Sequence, residues 1–187
     1  MSAVAQGTGV TDGVAPAPAP MPNATSTAST PDRGASSTQA GAIAECLVAA
    51  AVMEASGGRL SPFKPLADDD GIDLLLLDKL TGRATPLQIK ARRSYDDDKA
   101  QTTQFDVRLK AFKEDRRTDY LFIKLDGMRV EMAWLIPAGS LRSVARPTGT
   151  TLVSVPCCRP TSQDRFTPYR RASIDEVVAE ILARVVP

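Results

Sequence analysis

The stretch Gly71–Ala91, GIDLLLLDKLTGRATPLQIKA, constrains this chain most. Two apolar runs flank the turn KLTGRAT, the pattern of a β-hairpin. Side chains alternate across a strand, so Ile72, Leu74 and Leu76 share one face and Asp73, Leu75 and Leu77 the other. On the returning strand Leu87, Ile89 and Ala91 share a face, with Gln88 and Lys90 opposite. In antiparallel pairing the start of the first strand lies beside the end of the second. Asp73 is therefore expected to meet Gln88 and Lys90 at one end of one face. Polar groups inside a strand that should be buried need a partner or a purpose.

The 187 residues make one domain with room to spare, and 43% hydrophobic residues are enough for a core. Residues 1–38 are rich in Ala, Pro, Gly, Ser and Thr, and include the run APAPAPMP. Such a segment cannot bury enough surface to offset its ordering entropy, which predicts a disordered tail and a folded domain over 39–187. AGAIAECLVAAAVMEASGG reads as a helix with a glycine stop. LSPFKPL reads as a proline-interrupted edge strand. DYLFIKLD and MRVEMAWLIP read as strands joined through Asp126-Gly127, a strong hairpin signal. QFDVRLKAF fits strand or helix equally, and TLVSVPCC offers a further strand. At the end, Ser173 and Glu176 form a capping box, and Ile174, Val177, Val178, Ile181, Leu182 and Val185 form one apolar helical stripe. Together these predict an α/β (α+β) fold with a mixed central β-sheet flanked by helices.

The chain has no histidine, which removes His-based acid–base chemistry and His-ligated metal sites. Cys46, Cys157 and Cys158 supply neither a disulfide framework nor a zinc spacing, and read as small buried residues of a reducing compartment. A net charge of +1 announces no nucleic-acid partner in bulk, so any such role needs local clusters of Arg and Lys. The N-terminus shows neither the basic nor the apolar region of a signal peptide. The apolar stretch Ile43–Met53 is too short to cross a bilayer and contains Glu45. A cytoplasmic protein with no membrane role is expected.

Glu45 is surrounded in sequence by Ile43, Ala44, Cys46, Leu47 and Val48, so its helix is apolar nearly all round and expected to be buried. A buried carboxylate costs several kcal/mol, on the order of the effective penalty for an ion in a protein, unless a metal ion or an ammonium group compensates.

A helix Glu, a strand-start Asp in GID, and Gln-x-Lys in QIK resemble the PD-(D/E)xK nuclease superfamily. The match runs over about residues 40–125, with Gly41 to Glu45 forming a GxxxE helix like that of some homing and junction-cleaving enzymes. The resemblance implies a restriction-endonuclease-like core and metal-dependent endonuclease activity on nucleic acid, with duplex DNA the expected substrate and a homodimer an open option. It implies Mg²⁺ or Mn²⁺ held by Asp73, Gln88, the backbone carbonyl of Ile89, and Glu45. Lys90 would orient or deprotonate the attacking water, or stabilise developing charge. The pattern departs from the superfamily at Ile72, where proline is usual, and at Gln88, where an acid is usual. An amide carries no formal charge, so weaker metal binding is expected. A catalytically inactive module that binds nucleic acid or a protein is the alternative.

On their own, Asp, Gln and Lys on a hairpin also fit a solvated face. Arg92 and Arg93 follow Lys90 directly. Lys110, Lys113, Arg116 and Arg117 form a second basic group, and Arg165, Arg170 and Arg171 a third. Each reads either as solvated surface or as phosphate contacts, which need only Arg or Lys along a groove. Trp134 and Tyr120 sit in strand patterns and read as core. Asp68 to Asp70 read as an acidic turn, with Asp70 able to assist at a metal, and Asp96 to Asp98 as a solvated loop.

Overall fold

The computed structural model describes residues 37–67, 71–93, 101–114 and 117–185. The expected tail up to residue 36, Asp68 to Asp70, Asp96 to Asp98 and Arg116 lie outside them. Helix α1 (Ser37–Ala55) opens the described chain, two residues before the expected boundary. It ends at Gly57 and Gly58, both with positive φ, a conformation that glycine adopts without the Cβ penalty. The turn delivers the chain to edge strand β1 (Leu60–Phe63).

The hairpin follows as β2 (Leu74–Asp78) and β3 (Ala84–Arg93), with Leu74 opposite Leu87 and Leu77 opposite Ala84. Next comes β4 (Phe105–Arg108), then β5 (Asp119–Asp126), which runs parallel to β3. Gly127 turns β5 into antiparallel β6 (Arg129–Pro137). Beyond it lie α2 (Ala138–Val144), β7 (Arg146–Thr148), β8 (Thr151–Ser154), β9 (Arg170–Arg171) and α3 (Ile174–Val185). The main sheet has the order β1-β2-β3-β5-β6-β9, mixed because β3 and β5 are parallel, and β4-β8-β7 form a second, small sheet.

Alternation along β5 and β6 divides the core in two. Leu121, Ile123, Leu125, Ala133 and Leu135 pack with Ala44, Val48 and Val52 of α1 and Val177, Val178 and Ile181 of α3. Tyr120, Phe122, Met132, Trp134 and Ile136 face the other way, onto Phe105, Leu141, Leu152 and Phe166. There Phe105 stacks on Phe122 with ring centroids 4.7 Å apart, and Trp134 meets Phe105 edge-on at 5.9 Å. Trp134 and Tyr120 are core, as their strand patterns predict. Each fully buried large apolar side chain contributes about 1.5–3 kcal/mol, so both faces of the sheet are needed.

Two expectations are corrected and one ambiguity is resolved. First, α1 is not buried all round. Ala44, Val48 and Val52 are its buried residues, while Cys46 and Met53 are exposed, because the helix lies on one face of a sheet and only one stripe reaches it. By length and composition Thr38–Ala55 also matches a membrane-crossing helix, a test that core helices meet too. Second, Cys158 is buried, but Cys157 is half-buried and Cys46 exposed. Third, the strand-or-helix segment becomes β4, because Phe105 and Val107 alternate into the aromatic core while the backbone pairs with β8.

A buried ion pair locks the hairpin. Asp78, with no exposed side-chain surface, accepts two hydrogen bonds from the Arg59 guanidinium at 2.8 Å each, one from the Thr81 hydroxyl and one from the Leu80 N–H. Arg59 above all, then Thr81 and Leu80, hold its carboxyl well below the usual range against the opposing effect of burial. A lowered folded-state pKa means stability that is full above the unfolded Asp pKa of about 3.9 and lost as pH falls through the lowered value. Asp78→Asn is therefore expected to lower the melting temperature at neutral pH, and its deficit should shrink as acid titrates the wild-type carboxylate. Thermal melts of both proteins across that acid range check this.

Candidate active site

Strand β2 begins at Leu74, so Asp73 sits at the point where the β2–β3 ladder gives out. Its N–H still donates to the Leu87 carbonyl at 2.9 Å. The next ladder bond is made by a side chain: Asp73 Oδ2 accepts the Ile89 N–H at 2.6 Å. Such a charge-assisted bond contributes about 1.5–3 kcal/mol. In an antiparallel pair the N–H and C=O of one residue address the same neighbour, so the Ile89 carbonyl faces the same side as the Asp73 carboxylate.

Gln88 and Lys90 lie on the opposite face from Ile89, paired with Tyr120 and Phe122 on the aromatic side of the sheet. Gln88 is buried, and its amide packs on Gly71. A Cβ added at Gly71 would lie 3.1 Å from Gln88 Nε2, and the residue has φ of +69°. The glycine of GID thus makes room for the amide and turns the chain toward Asp73. Lys90 is half-buried and, among the described residues, forms neither a hydrogen bond nor an ion pair.

Glu45 comes from α1, on the other side of the sheet. It borders a cleft of about 140 Å³ together with Lys64, Pro65, Ile72 and Asp73. The Glu45 side chain is 19% exposed, and its Oε2 accepts the Lys64 ammonium at 2.5 Å. The cost of that carboxylate is thus met by an ammonium group. The Lys64 pKa is raised, first by the hydrogen bond and charge of Glu45 and further by the charge of Asp73.

The fold therefore brings together Asp73 and the Ile89 backbone, sets Glu45 beside Asp73 in one cleft, and packs Gln88 against Gly71. Gln88 and Lys90 do not line that cleft. Asp73 meets the β3 backbone at Ile89. Lys64 is the site residue the sequence reading missed. Its contact with Glu45 spans 19 residues between a helix and the end of an edge strand, and no spacing rule covers it.

The basic groups divide. Arg92 is exposed; its Nε donates to the Gln104 carbonyl and its Nη2 lies 3.3 Å from Asp106. Arg93 Nε is buried and finds no hydrogen-bond partner among the described residues. Lys113 is exposed, and Arg117 lines a separate cleft of about 600 Å³ with Arg83, Thr85, Asp119 and Arg184. Arg170 bonds the Pro160 carbonyl and Arg171 pairs with Glu180, so this pair is built into the fold.

Over 82% of its length the chain matches the structure of a bacterial homing endonuclease, I-Ssp6803I, all of which is covered, with a TM-score of 0.51 and 20% identity. The chain shares its fold with that nuclease. No protein-family model matches the chain, and no curated protein is similar to it. The mixed sheet flanked by helices is the fold class expected from the sequence, with α1 and α3 on one face and α2 on the other.

Gly71 gives a direct test of the local geometry. Gly71→Ala puts a side chain at positive φ and against the Gln88 amide, and is expected to cost about 1–2 kcal/mol from the left-handed backbone alone. Gly82 also has positive φ but nothing within 4 Å of an added Cβ. Gly71→Ala should therefore cost more than Gly82→Ala in denaturant unfolding.

Proposed function

We propose that this protein is a metal-dependent endonuclease that hydrolyses phosphodiester bonds in duplex DNA. The observation that carries the reading is the Asp73 carboxylate clipped to the Ile89 N–H, with Glu45 across the same cleft, on a fold shared with a homing endonuclease.

The residues fit a hard divalent cation. Among the described residues no three Asp, Glu or Cys side chains converge. The donor set is two carboxylates with neutral oxygens beside them. Mg²⁺ suits such a set, because it takes oxygen ligands and keeps several waters. The Lys64 ammonium already places positive charge against Glu45 and near Asp73. Asp73 and Glu45 would hold Mg²⁺ or Mn²⁺, with Gln88 Oε1 and the Ile89 carbonyl as further oxygens. When bound, the ion supplies Lewis acidity and a water that is nucleophilic near neutral pH.

The chain's own residues do the rest. The Ile89 N–H fixes one oxygen of Asp73 at the edge of the cleft. Lys90, two residues beyond Gln88 on one face, orients the attacking water or balances charge that develops on the phosphate. Arg92, Arg93 and Lys113 supply phosphate contacts, with Arg116 and Arg117 as further candidates.

Two observations favour a second reading, a silent nuclease-like module that binds nucleic acid or a protein. Gln88 stands where an acid is usual, and Lys64 holds Glu45.

Lys90→Ala and Asp73→Asn are expected to abolish plasmid cleavage in Mg²⁺ or Mn²⁺ while leaving a folded protein. Asparagine keeps an acceptor for the Ile89 N–H, whereas alanine would orphan it. Gln88→Glu should tighten metal binding and keep or raise activity. Wild-type cleavage that persists in both loss variants would sink the assignment. An inactive wild type that Gln88→Glu switches on would favour the silent module.

Binding gives a separate check. If Arg92, Arg93 and Lys113 contact phosphates, duplex affinity should fall with salt, at a log–log slope of about 0.9 per phosphate neutralised. Each removed contact should flatten that slope, and salt-independent binding would remove nucleic acid as the partner.

A further inference from the structure

Lys64 follows the edge strand β1 directly, with Phe63 before it and Pro65 after it. Phe63 and Leu66 are both exposed, so the segment is not packed around the lysine. The ammonium lies against Glu45, in the cleft that Asp73 also lines. The two partners differ in freedom. The Lys64 side chain is 61% exposed and the Glu45 side chain 19%, so the carboxylate is the fixed member and the lysine the movable one.

We propose that Lys64 is the resident counter-cation of the Glu45–Asp73 cleft, displaced when a divalent ion enters, and that it thereby sets the protein's metal affinity. This rests on the nuclease reading and adds a positioning residue to it. A carboxylate oxygen that receives an ammonium hydrogen bond cannot also hold Mg²⁺ at about 2.1 Å without crowding two positive charges. The lysine must leave Glu45, and its exposed segment gives it water to move into. Without an ion, the lysine spares Glu45 and Asp73 the repulsion of two neighbouring carboxylates. The arrangement costs metal affinity and keeps the empty cleft electrostatically balanced. Exposed ion pairs are weak, so the cost is a modest factor rather than a block.

The test is Mn²⁺ binding to the full chain without nucleic acid, read by the electron paramagnetic resonance signal of free Mn²⁺. Lys64→Met, which keeps the apolar stem and removes the charge, should tighten Mn²⁺ binding roughly three- to tenfold. Lys64→Arg should bind like wild type. Lys79→Met, in the turn at the other end of the hairpin, should leave the affinity unchanged. In Glu45→Gln, adding Lys64→Met should give no gain, because the pair no longer exists. Melting temperatures confirm that each variant is folded. Wild-type binding with no tightening in Lys64→Met, or tightening that persists beside Glu45→Gln, would overturn this inference and leave the metal site standing. No Mn²⁺ bound by wild type or Lys64→Met would overturn the metal-dependent reading itself.

Discussion

One carboxylate finishes a β-ladder that the backbone does not complete. Asp73 stands one residue before β2, and its side chain takes the Ile89 N–H that a further β2 residue would have accepted. The substitution has two results. It ends the hairpin without leaving a buried donor unpaired, which would cost about 1–3 kcal/mol. It also holds the carboxylate at the end of β2, against the Ile89 backbone.

The rest of the architecture supplies rigidity and access. β2 pairs with β3 only over Ala84 to Leu87, so Gln88, Ile89 and Lys90 are held along one edge by β5 and on the other by the Asp73 side chain at Ile89. Alternation sends Ile89 into the aliphatic core with α1 and α3, and turns Gln88 toward the aromatic core. The helix that buries Ala44 and Val48 therefore also sets the height of Glu45 over the sheet edge. A change in the α1 stripe would move the Glu45 carboxylate as well as open a cavity.

Much of this was legible in the sequence because it follows from period and turn chemistry. The β2–β3 hairpin, the β5–β6 hairpin through Gly127 and the stripe of α3 are local patterns with local causes. The capping box is present in modified form. Ser173 Oγ accepts the Glu176 N–H at 3.3 Å, while Glu176 reaches back to the Ala172 N–H. The second sheet was not legible: β4 and β8 are four residues each and pair across more than 40 positions, as Phe105 with Ser154. At the site, alternation places Asp73 at the right end of the hairpin, but not its bond to a backbone N–H. The cost of an ionised Glu45 was readable from its apolar neighbours. The identity of the compensating cation was not, because Lys64 reaches it only once β1 is placed beside α1. The same non-local packing leaves Cys46 and Met53 exposed on a helix that composition alone would bury.

Anomalous diffraction from crystals soaked in Mn²⁺ would decide whether Asp73 and Glu45 form one cation site. A shared site gives a manganese peak between the two carboxylates, beside the Ile89 carbonyl, with the Lys64 ammonium withdrawn from Glu45. A cleft with no manganese and its Lys64–Glu45 pair intact, while the ion binds elsewhere on the protein, rules that site out.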